Sequence, residues 1–214
     1  MNREELALFV RNHGIARTSL RYLFKTFRRL IVCDLMRVET SSGSAIGPIV
    51  DTAYVTRQVT AEEYREGVRW LGEGHERQWA FDRGDRCFAN LLDSRVVGYQ
   101  FYAQNSTRIR PGLAFEFPLR FTYSYASFTH ADHRGKRLAK FRANARRNAD
   151  EAAGIRREVV WYVSVDNYNS RSVSRHFQST LLGYAAFVKI GKKYLCYMSR
   201  GCKKAGISLV STSD

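Results

Sequence analysis

The sequence is poor in cysteine, and its few cysteines do not form a recognisable site. Cys33, Cys87, Cys196 and Cys202 stand far apart in a chain of 214 residues, and no two have the C-x-x-C spacing. This spacing indicates neither a zinc site nor a disulfide framework. Free thiols are typical of a reducing compartment, and we therefore expect a cytoplasmic protein. Because no zinc spacing is present, we expect no metal.

The sequence also lacks the segments that direct a protein into a membrane or out of the cell. No apolar run approaches the length of a membrane-spanning helix. Residues 1–5 carry acidic side chains that a signal peptide does not have, so no secretion signal is expected. A chain that is 44% hydrophobic can bury one good core, or one core with an appended arm.

Acidic residues are scarce relative to basic ones. The 20 aspartates and glutamates are outnumbered by 35 lysines and arginines, which gives a formal net charge of +15. Such an excess predicts an anionic partner: a nucleotide cofactor, a nucleic acid or a membrane surface. No helix-turn-helix, zinc or RNP-like aromatic pattern is present, so nucleic acid is not the expected partner.

Residues 1–48 are predicted to form an N-terminal basic helical arm and a strand, closed by a Ser/Gly/Pro linker. One helix of the arm has an apolar and a basic face at helical spacing. The apolar face carries Leu20, Phe24, Phe27 and Ile31, and the basic face carries Arg17, Arg21, Lys25, Arg28 and Arg29. Such a helix can contact an anionic membrane at its cytoplasmic face through residues 15–32. The alternative, which we favour, is that the helix packs on the core or on a second copy of the chain in a homodimer.

Residues 49–200 are predicted to form one mixed domain, followed by a C-terminal tail at 201–214. Thr60 and Glu63 have the spacing of a capping box at a helix start. Beyond them the pattern predicts two hairpins and an irregular loop: Asp85–Leu92 with Arg95–Ala103 across Asp93-Ser94, Thr180–Val188 with Tyr194–Ser199, and the loop 105–118.

The most informative stretch joins a strand to a helix. Residues 119–128 are aromatic and β-branched with alternating character, which indicates a strand, and after Arg134 the pattern becomes helical until Gly154. The predicted apolar stripe of that helix is Leu138, Phe141, Ala145 and Ala149. At such a junction the first N–H groups of the helix lack partners, and with the helix dipole they form an anion site. The sequence therefore predicts a cradle for a diphosphate.

A second motif follows an apolar run. Residues 159–165 are continuously apolar, which is typical of a strand buried on both faces. They are followed by Asp166-Asn167-Tyr168-Asn169-Ser170 and by a helix to about residue 177. One long helix and one strand thus separate this motif from the diphosphate cradle.

In this order the two motifs resemble those of the GNAT superfamily of acetyl-CoA-dependent N-acetyltransferases. The resemblance covers residues 52–199 and rests on Thr129-His130-Ala131-Asp132-His133-Arg134-Gly135-Lys136-Arg137-Leu138-Ala139 and on the motif at 166–170. It implies an α/β (α+β) fold with a mixed, mostly antiparallel sheet, two central parallel strands that splay apart, and helices on both faces. The basic arm is also similar to bacterial acyltransferase-like proteins associated with cell-surface polysaccharides.

The resemblance implies that acetyl-CoA, or another acyl-CoA, is the co-substrate. The pantetheine is expected to pair with backbone at Phe128 and Thr129 and to be contacted by Asn167 and Ser170. The diphosphate is expected on the amides of Arg134, Gly135, Lys136, Arg137, Leu138 and Ala139. Further along that helix, Arg142, Arg146 and Arg147 either reach another phosphate or form a solvated face.

The resemblance also implies direct attack by an amine of a small molecule, such as an amino sugar, without a nucleophile from the protein. A backbone N–H near the splayed strands is expected to stabilise the oxyanion. Candidate catalytic residues are Glu116 as general base, and Tyr168 or Ser174 as proton donor to the CoA thiolate. An exposed carboxylate and a packed aromatic are the alternatives for Glu116 and Tyr168.

Three positions depart from the family pattern. The tyrosine acid of the family falls on Ser174, a poor proton donor, and two of its glycines fall on Arg137 and Gln178. His130 and His133 lack a third metal ligand, which agrees with a metal-free site. The departures keep a second interpretation open: a non-catalytic acyl-CoA-binding protein, or a protein that binds anionic membrane or nucleic acid, with a degenerate site.

Overall fold

The computed structural model describes residues 10–11, 14–30, 32–41, 53–168, 170–171 and 177–212. The helices are α1 (Ile15–Leu30), α2 (Ala61–Val68), α3 (Gln78–Asp82), α4 (Leu138–Ala152) and α5 (Arg200–Lys204), with 3₁₀ turns at Arg69–Leu71 and Ala131–His133. The strands are β1 (Cys33–Ser41), β2 (Val55–Val59), β3 (Arg86–Leu92), β4 (Arg95–Ala103), β5 (Thr107–Arg110), β6 (Leu113–Glu116), β7 (Phe121–Thr129), β8 (Glu158–Ser164), β9 (Thr180–Ile190), β10 (Lys193–Met198) and β11 (Ser208–Ser211). Most of the helix predicted near residues 170–177 lies outside the described residues.

The chain folds into two compact units, each built from separate stretches of sequence. The first unit comprises Met1–Thr40, Ser106–Phe117 and Tyr162–Asp214, and the second comprises Ser41–Asn105 and Pro118–Trp161. The boundary falls within β8, so this strand contributes to both units. The domain limits predicted at residues 48 and 200 concern a different division and stay a prediction.

In the second unit the strands follow the order β8–β7–β4–β3–β2. Neighbouring strands in this order pair antiparallel, except for β7 and β8, which are parallel. The parallel pairing joins Phe121–Tyr123 to Glu158–Val160, and β7 continues through Ser124–Thr129 beyond the last pair. The predicted mixed, mostly antiparallel sheet with an early-ending parallel pair is confirmed.

Helices cover both faces of this sheet. Alternate residues of a strand point to opposite sides, so neighbouring residues of β4 contact different helices. On one face Tyr64 of α2 packs edge-on against Tyr99 and Phe101 of β4, with ring centroids 5.3 Å apart in both cases. On the other face the guanidinium of Arg146 in α4 lies 5.5 Å from the ring centroid of Tyr102. The predicted arrangement of helices on both faces is therefore confirmed.

The buried stripe of α4 is more polar than predicted. The buried residues are Leu138, Arg142, Arg146 and Asp150, whereas the other predicted apolar positions are only half-buried: Phe141, Ala145 and Ala149. The interpretation of Arg142 and Arg146 as a solvated face is therefore wrong.

An ion-pair cluster accounts for part of this polar stripe. Asp150 Oδ2 accepts a hydrogen bond from Arg146 at 2.5 Å, and Asp150 Oδ1 accepts one from Arg86 of β3 at 2.5 Å. Charged groups can be buried when they are paired and hydrogen-bonded. A periodicity analysis that counts only apolar residues misses such a stripe.

In the first unit the strands follow the order β10–β9–β1–β8. β1 pairs antiparallel with β9 from Cys33 to Thr40, and β9 with β10 forms the predicted hairpin. A second sheet has the order β11–β6–β5. In β8 Val160 and Val163 are buried, one on each face, and the other residues are half-buried or exposed, so the strand is less completely buried than predicted.

The stretch 105–118, predicted as an irregular loop, contains β5 and β6, so that prediction is wrong. β6 pairs antiparallel with β5 and also with β11. Both strands are only four residues long, too short for an alternating pattern to stand out. The second partner of β6 comes from 201–214, the segment predicted as a tail, which contributes α5 and β11.

α2 begins at the predicted capping box, which is confirmed. Thr60 Oγ1 accepts from the Glu63 N–H at 3.2 Å, and Glu63 Oε2 accepts from the Thr60 N–H at 2.8 Å. Two hydrogen bonds from Arg57, with the one from Thr60, lower the pKa of the Glu63 carboxyl to about 2. The carboxylate therefore keeps both partners at neutral pH.

Replacing the capping residue is expected to destabilise the protein. Thr60→Ala should lower the free energy of unfolding by about 1 kcal/mol, because a first-turn N–H loses its acceptor. Thr60→Ser is the matched control, since it keeps the hydroxyl. Urea unfolding at pH 7 measures the difference, and equal stability of the two variants would contradict the role of the cap.

Candidate functional site

β7 contains a bulge opposite β4. The pairs Phe128–Tyr99 and Tyr125–Phe101 bound it, and between them β7 has two residues where β4 has one. Ala126 accommodates the extra residue with φ +48°. A bulge leaves backbone groups unpaired within a strand and changes the direction of the following side chains, which is why bulges are common beside active sites.

Between β7 and α4 the chain leaves the sheet through a short 3₁₀ turn. Gly135 has φ +80°, and Arg137 lies in the left-handed region at φ +58°, ψ +20°. Arg137 is the N-cap of α4, and its side chain makes no capping hydrogen bond. Such a helix start attracts anions, because the dipole is positive there and its N–H groups can donate to a ligand.

Tyr54 joins two side chains of this junction. Its Oη accepts a hydrogen bond from Lys136 Nζ at 2.8 Å and lies 2.9 Å from His133 Nδ1. Because a lysine ammonium only donates, the hydroxyl hydrogen of Tyr54 is available to His133 Nδ1 in a neutral ring. Tyr54 carries no sequence signal for this role, since it precedes β2 and no local pattern relates it to the junction.

Arg142 lies beneath the end of β7. Its guanidinium donates to Asn90 Oδ1, to Ser127 Oγ at 3.5 Å and to Thr129 Oγ1 at 3.2 Å. The side chain is fully buried, and this burial lowers the pKa of the guanidinium to about 10. Arg142 is therefore still positively charged at neutral pH.

A cavity of about 320 Å³ lies beside the junction. Its lining residues are Trp70, Leu92, Asp93, Arg95, Val97 and His133. The ring centroid of Trp70 is 4.8 Å from that of His130, and the indole Nε1 donates to Val96 O at 3.2 Å. The lining therefore combines apolar and polar side chains, as ligand-binding cavities commonly do.

His75 contacts the end of β7 from the loop between the 3₁₀ turn and α3. Its ring centroid is 4.5 Å from that of Phe128, and its Nδ1 lies 3.0 Å from Tyr99 Oη. Burial, together with the nearby Arg77 and His130, lowers the pKa of the imidazole. These surroundings therefore favour the neutral form of His75. The sequence analysis missed it, because a lone histidine in a loop carries no spacing signal.

A buried carboxylate supports Tyr125, the residue just before the bulge. Asp85 Oδ2 accepts from Tyr125 Oη at 2.5 Å and also from Arg83. The Arg83 guanidinium lies 4.9 Å from the ring centroid of Trp79, which stacks on Tyr125 at 5.8 Å. Burial and the Asp85 carboxylate raise the pKa of Tyr125, so its phenol remains a donor at neutral pH.

The predicted residues Phe128, Thr129 and 134–139 thus come together at the end of β7 and the start of α4 in the second unit. Glu116 belongs to β6 of the first unit, where its Oε2 accepts from Ser208 Oγ at 3.1 Å. Its side chain is exposed. The role of Glu116 as a general base stays a prediction.

Asn167, Tyr168 and Ser170 also lie in the first unit. Asn167 Oδ1 accepts from the Ser170 N–H at 3.1 Å, so the spacing of this motif is that of a residue capping a helical turn. Tyr168 has the guanidinium of Arg17 at 5.7 Å and that of Arg171 at 5.4 Å from its ring centroid. Their roles toward a cofactor stay predictions, and Ser174 lies outside the described residues.

The two positions where the GNAT pattern has glycine share one backbone feature. Arg137 has φ +58° and Gln178 has φ +50°. The left-handed region is where glycine is favoured over other residues. The backbone at both positions therefore adopts a glycine-like conformation although the side chains differ.

Across the residues that the structure describes, no group of three or more His, Cys, Asp or Glu side chains is arranged to hold a metal ion. None of the described helices is long and apolar enough to cross a membrane.

No protein-family model and no curated protein sequence matches the chain. Among solved structures it is similar to one named as an acetyltransferase of the GNAT family from Novosphingobium aromaticivorans, with a TM-score of 0.50 and 12% identity over 74% of this chain and 65% of that one. It is also similar to a Drosophila protein, with a TM-score of 0.53 and 13% identity over 75% of this chain and 52% of that one. The match thus spans less than two thirds of either neighbour. The chain has the fold of the GNAT-family acetyltransferase.

Proposed function

We propose that this chain is an acyltransferase that moves an acetyl or other acyl group from acyl-CoA directly to an amine of a small molecule. The observation that carries the proposal is the junction of β7 and α4, where a bulged strand leads into a helix start that no N-cap side chain occupies. The GNAT-like fold supports it.

The residues at this junction fit the parts of acyl-CoA. The first-turn N–H groups of α4 can bind the diphosphate, and a Cβ at Gly135 would meet no atom within 4 Å, so the space before the loop is open. Arg134 and Lys136 add exposed cations. The backbone of Phe128 and Thr129, after the bulge, is proposed to pair with the pantetheine.

Acyl-CoA supplies an activated thioester, so the protein need not form a covalent bond to the acyl group. A C–N bond forms as the C–S bond breaks, the sulfur keeps the electron pair, and a base takes the proton of the amine. Backbone N–H groups at the bulge near Ala126 are proposed to stabilise the oxyanion, as donors fixed before the reaction do in other acyl transfers.

Removing the cations of the junction is expected to weaken CoA binding. The double variant Arg134→Ala, Lys136→Ala should bind CoA about tenfold more weakly or worse, since each charge-assisted hydrogen bond contributes about 1.5–3 kcal/mol. Isothermal titration with CoA measures the affinity.

The matched control removes the same charge elsewhere in the second unit. Arg65 and Arg69 are exposed, and the double variant Arg65→Ala, Arg69→Ala should bind CoA like the original chain. If a folded Arg134→Ala, Lys136→Ala variant kept full affinity, the cradle would be refuted.

Acyl transfer should depend on an added amine and on its protonation. With acetyl-CoA and a panel of amino sugars, polyamines and amino acids, thiol release should rise with pH as the amine loses its proton, because only the neutral amine is a nucleophile. Release without any amine, measured in parallel, gives the background of hydrolysis.

The panel also separates the two interpretations. Turnover with an amino sugar favours that acceptor class. Binding of acetyl-CoA without turnover on any amine contradicts acyl transfer and supports the non-catalytic alternative.

The proton donor to the leaving thiolate is proposed to be Tyr168 rather than Ser174. A thiol has a pKa of roughly 8.5, so the thiolate needs only modest help to leave. Tyr168→Phe should therefore lower kcat moderately and leave the affinity for CoA unchanged, whereas Ser174→Ala should lower kcat little. A large loss in Ser174→Ala at unchanged CoA affinity would reverse the assignment.

We propose separately that residues 15–32 contact an anionic membrane. On α1 the side chains of Ile15 and Leu23 are 74% and 55% exposed, beside the exposed Arg17. Exposed apolar and basic side chains on one helix suit the headgroup region of an anionic bilayer.

A further inference from the structure

The buried charge of Arg142 is not neutralised by the protein around it. Its acceptors are an amide oxygen and two hydroxyls, on Asn90, Ser127 and Thr129. Its Nε has no hydrogen-bond partner. Throughout the part of the chain that the structure describes, no carboxylate pairs with it.

The neighbouring arginine of the same helix face provides the contrast. Arg146, one turn further along α4, is also buried, but it binds Asp150 Oδ2 at 2.5 Å. Taking a charge out of water costs several kcal/mol unless another charge or a set of hydrogen bonds offsets it. Arg146 has a carboxylate partner, Asp150, which it shares with Arg86, whereas the hydrogen-bond acceptors of Arg142 are all neutral.

The sheet is built to make room for this guanidinium. A Cβ at Gly98 would lie 2.5 Å from Arg142 Nη1 and 3.0 Å from Asn90 Oδ1. Asn90 turns its oxygen to Arg142 and donates its NH₂ to Thr56 Oγ1 at 2.7 Å and Leu138 O at 3.3 Å. The site for the charge is therefore specific and closely packed.

The guanidinium also sets the direction of two hydroxyl groups. Arginine has donors and no acceptor, so the oxygens of Ser127 and Thr129 accept from it and their own hydrogens point elsewhere. Ser127 lies in the bulge of β7 and Thr129 follows it, on the segment that leads to the start of α4. Leu138, four residues before Arg142, begins that helix.

We propose that Arg142 is a positioning residue for the anionic ligand: its unneutralised charge, one helical turn behind the start of α4, is the fixed countercharge for the diphosphate. This inference rests on the proposed function, because the diphosphate of acyl-CoA supplies the missing negative charge. The charge acts through the low-polarity interior between β7 and α4, where water screens it little.

The test compares variants that change the charge with variants that keep it. Arg142→Met should weaken CoA binding about tenfold or more, the effect of losing one charge-assisted interaction. Arg142→Lys keeps the charge and should retain most of the affinity. Isothermal titration with CoA gives the affinities, and circular dichroism with thermal unfolding of the ligand-free proteins reports folding.

Arg146→Met is the matched control. It removes a buried arginine from the same face of the same helix and leaves Asp150 with fewer partners, so it should lower the Tm. Because Arg146 has Asp150 as a direct carboxylate partner, unlike Arg142, its CoA affinity should stay close to that of the original chain. A purely structural role for Arg142 predicts that both methionine variants lose stability and affinity together.

The outcomes separate the inference from the proposed function. If the original chain does not bind CoA, the proposed function fails. If it binds CoA and Arg142→Met binds equally well, or Arg142→Lys loses as much as Arg142→Met, the charge is not the cause and the inference is overturned. Should Arg142→Met not fold, the comparison of Arg142→Lys with Arg146→Met decides: a tenfold loss in a folded Arg142→Lys overturns the inference, and retained affinity supports it.

Discussion

The short connection between β7 and α4 is the constraint on which the rest of the second unit depends. Eight residues separate Thr129 from Leu138 (positions 130–137), and within them the chain must leave the sheet and begin a helix on one face. The connection from β7 through α4 to the parallel strand β8 must also follow the right-handed crossover rule. Two left-handed residues, Gly135 and Arg137, make so short a reversal feasible.

The reversal has a conformational free-energy cost, because one of its two left-handed residues, Arg137, is not glycine. A left-handed conformation costs an ordinary residue about 1 kcal/mol or more. Arg137 adopts it as the N-cap of α4, in the place where serine, threonine or aspartate would have stabilised the helix. A chain selected only for helix stability would fill this position differently. The conformation keeps the first N–H groups of α4 clear of an N-cap side chain, which is what a bound anion needs.

The elements with local signals could be predicted from the sequence, and those that depend on distant partners could not. Thr60 with Glu63, and Asp93 with Ser94, carry their information within four residues, and the capping box and hairpin turn are both present. β6 depends on β11, more than ninety positions away by number (113–116 against 208–211), and its own sequence is too short to indicate a strand. The buried stripe of α4 was missed because Asp150 pairs with Arg146 of the same helix and with Arg86 across the sheet, and a hydropathy pattern does not register such pairing.

The predicted site has two parts, a backbone cradle for the diphosphate and a side-chain proton donor. The sequence supports the first more firmly than the second. The proposed cradle for the diphosphate would consist of backbone N–H groups, so its affinity would depend on the conformation of the chain. At Arg137 and Gln178 that conformation is the one that glycine favours, although neither residue is glycine. A site built from backbone tolerates a change of side chain as long as φ and ψ are kept. A proton donor, in contrast, is a particular side chain, and Ser174 in place of a tyrosine changes its acidity directly. Departures from the family pattern therefore weigh little against cofactor binding and heavily against the familiar route of proton transfer, so any catalysis must rely on a different donor.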